Sequence, residues 1–436
     1  MLETLFGLNK AGTSVRTELM AGLATFLTMA YITVVNPGIL STEGTGMEFG
    51  AVFTATIIAS VVGTLIMGLW ANWPIALAPG MGLNAFFTFS VIFGQGYTYS
   101  QALTAVLVAG IVFVILSVTP ARKYIINSIP KSMKLGIGAG IGLFLAIIGF
   151  QNAGIVIDNP ATLVGLGDLA SAPVLLAGLG FIIITVLDKR GIPGAIIIGI
   201  LTVAAIAWAT GVSSLSGVVG SVPNPTHAFS LDFSLLATAG FMGTAFAFLF
   251  VDFLDTAGTL TSVANVAGKI NDDGEVEDID RALLADSSAT VVGALVGTSN
   301  TTSYIESGAG VKEGGRTGLT AVTVAALFAA CLIFAPLAQS VPAFATAPAL
   351  IFIAAYFIRN LKDIDWDDVS EYAPAVLAAI VMPLTYSIAY GIALGFIAYV
   401  VIKALAGKLE ALNYGSIGIA IASVLFFVAQ ALDIAG

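Results

Sequence analysis

Apolar runs follow one another along this chain in a number that no water-soluble fold can bury. A hydrocarbon core about 30 Å thick is crossed by a helix of roughly 20 apolar residues, and half-spans are shorter. Seven such runs fill residues 17–210, seven more fill residues 241–406, and one further run, Ser416–Leu432, trails them. Charge is kept away from them: only 10% of the 436 residues are charged, against about 25% in soluble domains. The expected fold is an all-α polytopic membrane protein with 14 transmembrane segments, plus a C-terminal helix.

The basic residues orient the segments. Threading them with the N-terminus in the cytoplasm, each crossing once, puts all 16 Lys and Arg in inner connections, as the positive-inside rule requires. The outer connections carry Glu43, Glu48, Asp158, Asp168 and Asp232 instead. A missed span would have stranded a basic cluster outside. The net charge of −10 says nothing about an acidic partner, because most of it sits in two loops, Asn271–Asp280 and Asp363–Glu371. Cys331 is the single cysteine and His227 the single histidine, which argues against disulfides, thiolate or histidine metal centres and histidine triads. The N-terminus lacks the basic n-region and apolar core of a cleaved signal. A location in the cell inner membrane follows, with no cofactor, metal or nucleic acid expected.

The two sets of seven resemble each other. "ASVVGTL" (Ala59–Leu65) recurs as "ATVVGAL" (Ala289–Leu295) at an offset of 230 residues. An odd number of spans per repeat inverts the second copy, and inverted repeats with broken helices at the midplane mark secondary transporters. Each matching run precedes a stretch poor in helix formers, "ALAPGMGLNAFF" (Ala76–Phe87) and "GTSNTTSYIESGAG" (Gly297–Gly310). Irregular backbone survives at membrane depth only where it is buried in protein or lines a cavity. Segments 3 and 10 are therefore expected to be broken, each an extended stretch leading into a half-helix. Glu306 then falls near the positive end of a helix dipole, which favours an anion.

The partner acids lie in "FLFVDFLDTAGTLTSVANVAG" (Phe248–Gly268), where Asp252 and Asp255 interrupt an apolar helix. An intramembrane acid is costly and by default functional; three residues apart, the two can share a face. A structural role, bonding a neighbouring helix, is the competing reading for each. The repeat offset puts Thr25 opposite Asp255, facing either the same cavity or the core. Two acceptor-only carboxylates suit a planar neutral ligand with paired N–H donors, or a cation. Phe86, Phe87 and Tyr304 are placed to stack on a ring. From the residues alone, the function is secondary transport of a small donor-rich solute driven by protons or sodium. An intramembrane aspartyl protease is the alternative from another class, since "GLGD" (Gly165–Asp168) and "PAL" (Pro348–Leu350) resemble its motifs. That chemistry needs two facing intramembrane aspartates sharing a proton, whereas Asp168 falls in a polar outer connection. "GAGIGLF" (Gly138–Phe144) reads as small-residue helix packing, and the loop Ala121–Lys134 as a basic surface against anionic lipid.

Four motifs in order, "ATFLTMAYITVVNPGIL", "PGMGLNAFFTFS", "FVDFLDTAGTL" and "TSYIESGAGVKEGGRTGLT", resemble the Azg-like adenine/guanine/hypoxanthine permeases of the nucleobase–cation symporter family, within the nucleobase/ascorbate transporter superfamily. The resemblance implies two inverted repeats of seven segments. It implies a core domain from residues 17–119 and 241–337 and a gate domain from residues 120–212 and 338–406. Residues 407–436 are left as a C-terminal helix. It further implies import of a purine nucleobase with a proton, in preference to sodium, by movement of core against gate, with a homodimer as the expected assembly. The family register of segment 8 falls on Asp255, Gly258 and Ala264, favouring Asp255 over Asp252. The family's usual glutamate there is an aspartate here, one methylene shorter. Glu306 matches the segment-10 acid. The substrate site so implied holds Asp255 and Glu306 as acceptors, Phe86 as the stacking ring, and Asn84, Thr302 and Thr25 as further contacts. Asp255 and Glu306 are the proton-coupling candidates. Carriers of uracil, xanthine or ascorbate are the nearest alternatives.

The threading predicts that cysteines placed at Glu48, Asp168 and Asp232 react with an impermeant maleimide from outside intact cells, while one at Lys131 does not. External labelling at Lys131 would overturn the inverted arrangement.

Overall fold

A computed structural model describes residues 2–119, 129–267, 269, 276 and 278–435. Arg122, Lys123 and the acidic stretch Asn271–Glu275 lie outside these residues. Nine helices among the described residues are long and apolar enough to cross a membrane, and four shorter apolar helices accompany them. Each apolar run of the sequence coincides with one of these elements or with a broken pair, except Leu283–Gly297, which falls on the less apolar helix Ile279–Val296.

The first half opens with a short helix α1 (Leu2–Phe6), followed by α2 (Val15–Met29), α3 (Ile32–Leu40) and α4 (Phe49–Ile66), which winds on to Ala71 as a π-turn. Strand β1 (Leu77–Pro79) follows, then α5 (Met81–Ala85), which continues in π-winding to Gly94, and α6 (Tyr99–Ser117). Next come α7 (Lys131–Asn152), a hairpin of β2 (Val156–Asn159) and β3 (Leu163–Leu166), α8 (Ala172–Lys189) and α9 (Ala195–Ala209). The second half runs through α10 (Ala239–Ala267), α11 (Ile279–Val296), β4 (Thr301–Ser303), α12 (Ser307–Lys312), α13 (Gly318–Ala330) and α14 (Ala335–Gln339). It closes with α15 (Ala343–Arg359), α16 (Val369–Thr385), α17 (Ile388–Leu405) and α18 (Tyr414–Ala435). The fold is thus mainly helical rather than all-α. The four short strands stand where proline, glycine and clustered hydroxyls disfavour helix.

Strands β1 and β4 pair antiparallel, with Leu77 opposite Ser303, Ala78 opposite Thr302 and Pro79 opposite Thr301. The ladder extends at both ends: Gly80 N–H donates to the Asn300 carbonyl at 2.9 Å and Tyr304 N–H to the Ala76 carbonyl at 3.0 Å. The outer edges of so short a ribbon would be orphaned in an apolar interior, and side chains satisfy them. Thr64 Oγ1 accepts from Leu77 N–H at 2.9 Å and donates to its carbonyl at 3.1 Å, while Ser307 Oγ accepts from Ala76 N–H at 3.0 Å. The duplicated sequence motif explains the packing around the ribbon. A Cβ on Gly63 would meet the Ala289 Cβ at 2.6 Å, and one on Gly293 would meet Thr301 Oγ1 at 2.7 Å. Both copies of the motif therefore need a bare backbone face, against each other and against the strands.

Helix α2 is fixed to the second half by a buried acid. Glu18 accepts from the N–H groups of Arg316 (2.9 Å), Thr317 (3.3 Å) and Thr320 (3.1 Å) and from the Thr320 hydroxyl (2.6 Å). These are the free donors at the start of α13, so the charge sits on the positive end of a helix and its orphan N–H groups are satisfied together. A second packing unit forms around α7. There Cβ atoms on Gly136, Gly140 and Gly142 would fall within 3 Å of α16 or α15 atoms, as small-residue packing requires. At one end of this unit Lys403, 2% exposed, pairs with Glu371 at 2.5 Å and with Asp368 at 3.6 Å. Lys408 pairs with Asp368 at 2.6 Å, holding that carboxyl well below the usual range. The trailing α18 packs on α17 and α10, where Phe426 fills the space beside Gly243.

Candidate functional site

Between the two units opens a cavity of about 900 Å³. One wall carries Asp255 from α10, Glu306 from the β4–α12 junction and Tyr31 from the α2–α3 junction; Phe352 and Tyr356 of α15 line the opposite wall. Asp188, Lys312, Arg359 and Lys362 also line the cavity. Basic residues of connections assigned to one side by the sequence thus line one cavity.

The ribbon sets the position of Glu306. Once Ser303 is clamped in β4, the chain turns through Tyr304 and Ile305, and Glu306 directly precedes α12. Tyr31 then donates its hydroxyl to Glu306 Oε1 at 2.7 Å, which orients the carboxylate toward the cavity. Thr28 on α2 adds a longer bond to the Glu306 carbonyl, at 3.4 Å. Asp255 also borders the cavity, and among the described residues no side chain or backbone group donates to its carboxylate. Both acids are half-buried and line the cavity, so both present acceptor oxygens to a bound molecule. Tyr304 lies beneath them, its hydroxyl donating to the Pro79 carbonyl across the ribbon. Facing them, Phe352 and Tyr356 meet edge to face, with ring centroids 5.3 Å apart.

The other sequence candidates lie behind this wall. Phe86 is fully buried and packs edge-on against Phe248 at 4.8 Å, away from the cavity lining in this conformation. Asn84 is buried and donates to Asn36 Oδ1 at 3.1 Å. Thr302 shares a 2.9 Å hydroxyl bond with Thr256. Thr25 is wholly buried where α2 crosses α12, so close that a Cβ on Gly310 would lie 2.2 Å from its Oγ1. Asp252 sits behind Asp255, 1% exposed, accepting from Thr290 at 2.7 Å and from Asn300 Nδ2 at 2.9 Å. Asp168 is an exposed turn residue whose carboxylate caps the Ala170 N–H at 3.0 Å, and among the described residues it pairs with no second acid. Among the described residues no group of three His, Cys, Asp or Glu could hold a metal ion.

Two residues escaped the sequence reading. Asp286, on α11, accepts from Ser303 N–H and Ser303 Oγ at 2.6 Å each and from Thr256 Oγ1 at 2.7 Å. It is an acid inside an apolar run, the signal that exposed Asp252 and Asp255. Tyr31 is the other; a phenol within "TMAYITVV" must find a hydrogen-bond partner when buried, and that requirement pointed to an unseen acceptor.

A bundle of apolar helices with two interrupted elements crossing beside an acid-lined cavity defines a membrane transporter. Known structures agree on the fold. The transmembrane domain of a cyanobacterium bicarbonate transporter BicA matches with a TM-score of 0.66 and 15% identity, over 88% of this chain and 97% of that one. Residues 16–394 match the family described as Permease family. The Guanine/hypoxanthine permease PbuO of Bacillus subtilis is 46% identical over 97% of this chain and 99% of its own length. The Adenine permease AdeP of Escherichia coli is 41% identical over 98% and 96%. The chain belongs to this permease family, the nucleobase/ascorbate transporters.

The cavity lining predicts a reactivity pattern. In a Cys331→Ser background, Ile305→Cys (Ile305 is 60% exposed) should react readily with a charged methanethiosulfonate, and Phe86→Cys (Phe86 is 0% exposed) should not. Fast modification at position 86 with protection at 305 would place the cavity on the wrong side of the ribbon.

Proposed function

We propose that the protein imports purine nucleobases across the cytoplasmic membrane by proton symport. The observation that carries this reading is the pair Asp255 and Glu306 on one cavity wall, with Glu306 oriented by Tyr31 at 2.7 Å. Two acceptor carboxylates side by side suit the N–H groups of a purine, and Phe352, Tyr356 and Tyr304 offer apolar surface to its ring. Relatives named as guanine/hypoxanthine and adenine permeases, similar over nearly the full length, support the same substrate class. A uracil or xanthine carrier is the runner-up, and competition by unlabelled bases separates them.

In this reading fourteen segments form two inverted repeats, and the antiparallel β1–β4 pair, one strand from each repeat, supports the inversion. Residues 17–119 and 241–337 make the core domain, and residues 120–212 and 338–406 the gate domain. The N-terminus is cytoplasmic, so the connections that bring Lys312, Arg359 and Lys362 to the cavity lie on the inner side. Transport then moves the core, carrying the ribbon and both acids, past the gate wall of α15. Asp255, within a continuous apolar helix and without a donor among the described residues, takes the coupling proton. Glu306, held by Tyr31, stays the constant acceptor for the base. Two carboxylates facing one cavity repel, so their protonation is a property of the pair.

Proteoliposome uptake of labelled adenine, guanine, hypoxanthine and uracil, with and without an inward proton gradient, tests the assignment. Asp255→Asn mimics the protonated acid and should keep purine binding with a flattened pH dependence, while uphill accumulation is lost. Glu306→Gln puts a donor where an acceptor is needed and should weaken binding by at least about tenfold, since a hydrogen bond to a charged group contributes roughly 1.5–3 kcal/mol. If Glu306→Gln binds normally and Asp255→Asn does not, the roles are reversed. If both variants still concentrate substrate, neither acid carries the proton.

A further inference from the structure

The connection between the two halves, residues 210–238, is fastened to the ends of three helices. The Thr54 hydroxyl on α4 donates to the Pro223 carbonyl at 2.8 Å, and a Cβ on Gly50 would lie 3.0 Å from Pro223 Cβ. Phe229 N–H donates to the Leu295 carbonyl of α11 at 2.7 Å, and Asp232 N–H donates to the Thr104 hydroxyl of α6 at 2.9 Å. In the middle of this clasp stands His227, the single histidine of the chain and only 6% exposed.

Glu48 N–H, at the entry to α4, donates to His227 Nε2 at 2.9 Å. A backbone N–H can only donate, so Nε2 is bare and the neutral ring carries its proton on Nδ1. Tyr99 of α6 packs edge-on against the ring at 4.9 Å. The histidine rests on Gly297, where a Cβ would fall 2.8 Å from His227 Cβ. Gly297 ends α11 in the left-handed region, with φ 98°, and opens the interrupted stretch that carries Glu306. Its neighbour Thr298 accepts from Asn36 Nδ2 at 2.9 Å. His227 therefore holds both the entry to α4 and the point where the second broken element begins.

Histidine is the side chain whose charge ordinarily changes between about pH 5 and 8. A second proton on this ring goes to Nε2, where it sets N–H against N–H. The bond to Glu48 is lost, and a charge is left in a buried position. Burial accordingly pushes the imidazole below its usual value, and the Glu48 carboxylate opposes that shift only in part. Of the other groups around it, α6 brings the Tyr99 ring and α11 the Gly297 backbone, while Asp232 of the same connection accepts from Ser234 N–H at 2.9 Å. A histidine whose folded pKa is lowered contributes its full stabilisation above the unfolded value of about 6.5. That contribution is lost as pH falls from there through the folded value.

We propose that His227 is a proton-operated latch. Neutral, it docks the connection onto α4 and α11; protonated, it releases the connection and with it the start of the interrupted stretch at Gly297. The threading of the basic residues puts the latch on the outer face, where external pH sets it. It is separate from the coupling proton and does not depend on the purine assignment.

The test is amide hydrogen exchange on the purified full-length protein, without purine, between about pH 8 and 5, corrected for the intrinsic pH dependence of exchange. Protection of the peptides holding Glu48 and residues 223–232 should fall by up to about tenfold per pH unit below about 6.5, one proton being taken up on release. Helix α7 should keep its protection. His227→Gln offers an acceptor that cannot charge and should hold protection level across the range. His227→Phe lacks the acceptor and should leave both peptides unprotected at every pH. If His227→Phe does not fold, the slopes of the parent and of His227→Gln decide. A parent whose protection is level with pH makes His227 a static fastening and overturns the latch, as does a slope that His227→Gln retains. Protection that rises on acidification and vanishes in Glu48→Gln means that protonated His227 pairs with Glu48, which also overturns it. Because no purine is present, each of these results leaves the substrate reading to be judged separately.

Discussion

Everything in this structure hangs on the pairing of three residues with three others, Leu77–Pro79 with Thr301–Ser303. Within a membrane no water reaches an unpaired N–H or carbonyl, so extended backbone is tolerated only where protein satisfies it. A lone three-residue strand cannot meet that condition. Two of them, meeting antiparallel, satisfy each other's inner edges, and Thr64, Ser307 and Asp286 close the outer ones. The ribbon in turn places Glu306 at the cavity wall and brings α5 and α12 to the same depth. Losing either strand would strand the backbone of the other.

The buried acids divide by how completely they are satisfied. Glu18 takes three N–H groups and one hydroxyl, and Asp286 takes three donors within 2.7 Å. Such carboxylates are fastenings: Glu18 joins α2 to α13, and Asp286 joins α11 to the ribbon. Lys403, with Glu371 and Asp368, plays the same part where α16 and α17 meet. Asp255 and Glu306 differ, because each faces the cavity with acceptor capacity to spare. Asp252 stands between, held through one oxygen and bare on the other. Incomplete satisfaction, more than the mere presence of charge, separates the acids with acceptor capacity to spare from those that hold.

Much of this was legible in the sequence because membrane solvation is so restrictive. Apolar runs marked the helices, and proline, glycine and hydroxyl clusters marked both interruptions, though not that the interruptions would pair as strands. Asp255 and Glu306 were legible as intramembrane acids and do share one wall. Asp286 was equally visible as an acid and was passed over, since only its three donors reveal what it fastens. Composition cannot say which way a ring points, and Phe86 turns out to pack on Phe248 while the cavity's aromatic wall comes from Phe352 and Tyr356. Thr25 was placed by the repeat offset alone, which fixes its depth but not its facing; close approach of Gly310 settles that it packs between α2 and α12. The β2–β3 hairpin lies in a polar connection, where no periodicity announces it.

The central claim is that the two cavity carboxylates read the N–H groups of a purine. It is tested most directly by displacing labelled hypoxanthine from the purified protein with bases that differ only in methylation of those nitrogens. Loss of a hydrogen bond to a charged group costs roughly 1.5–3 kcal/mol, so N-methylated purines should compete about ten- to a hundredfold less well than their parents. Equal competition by methylated and unmethylated bases would mean that ring stacking alone selects the ligand, and would contradict the account.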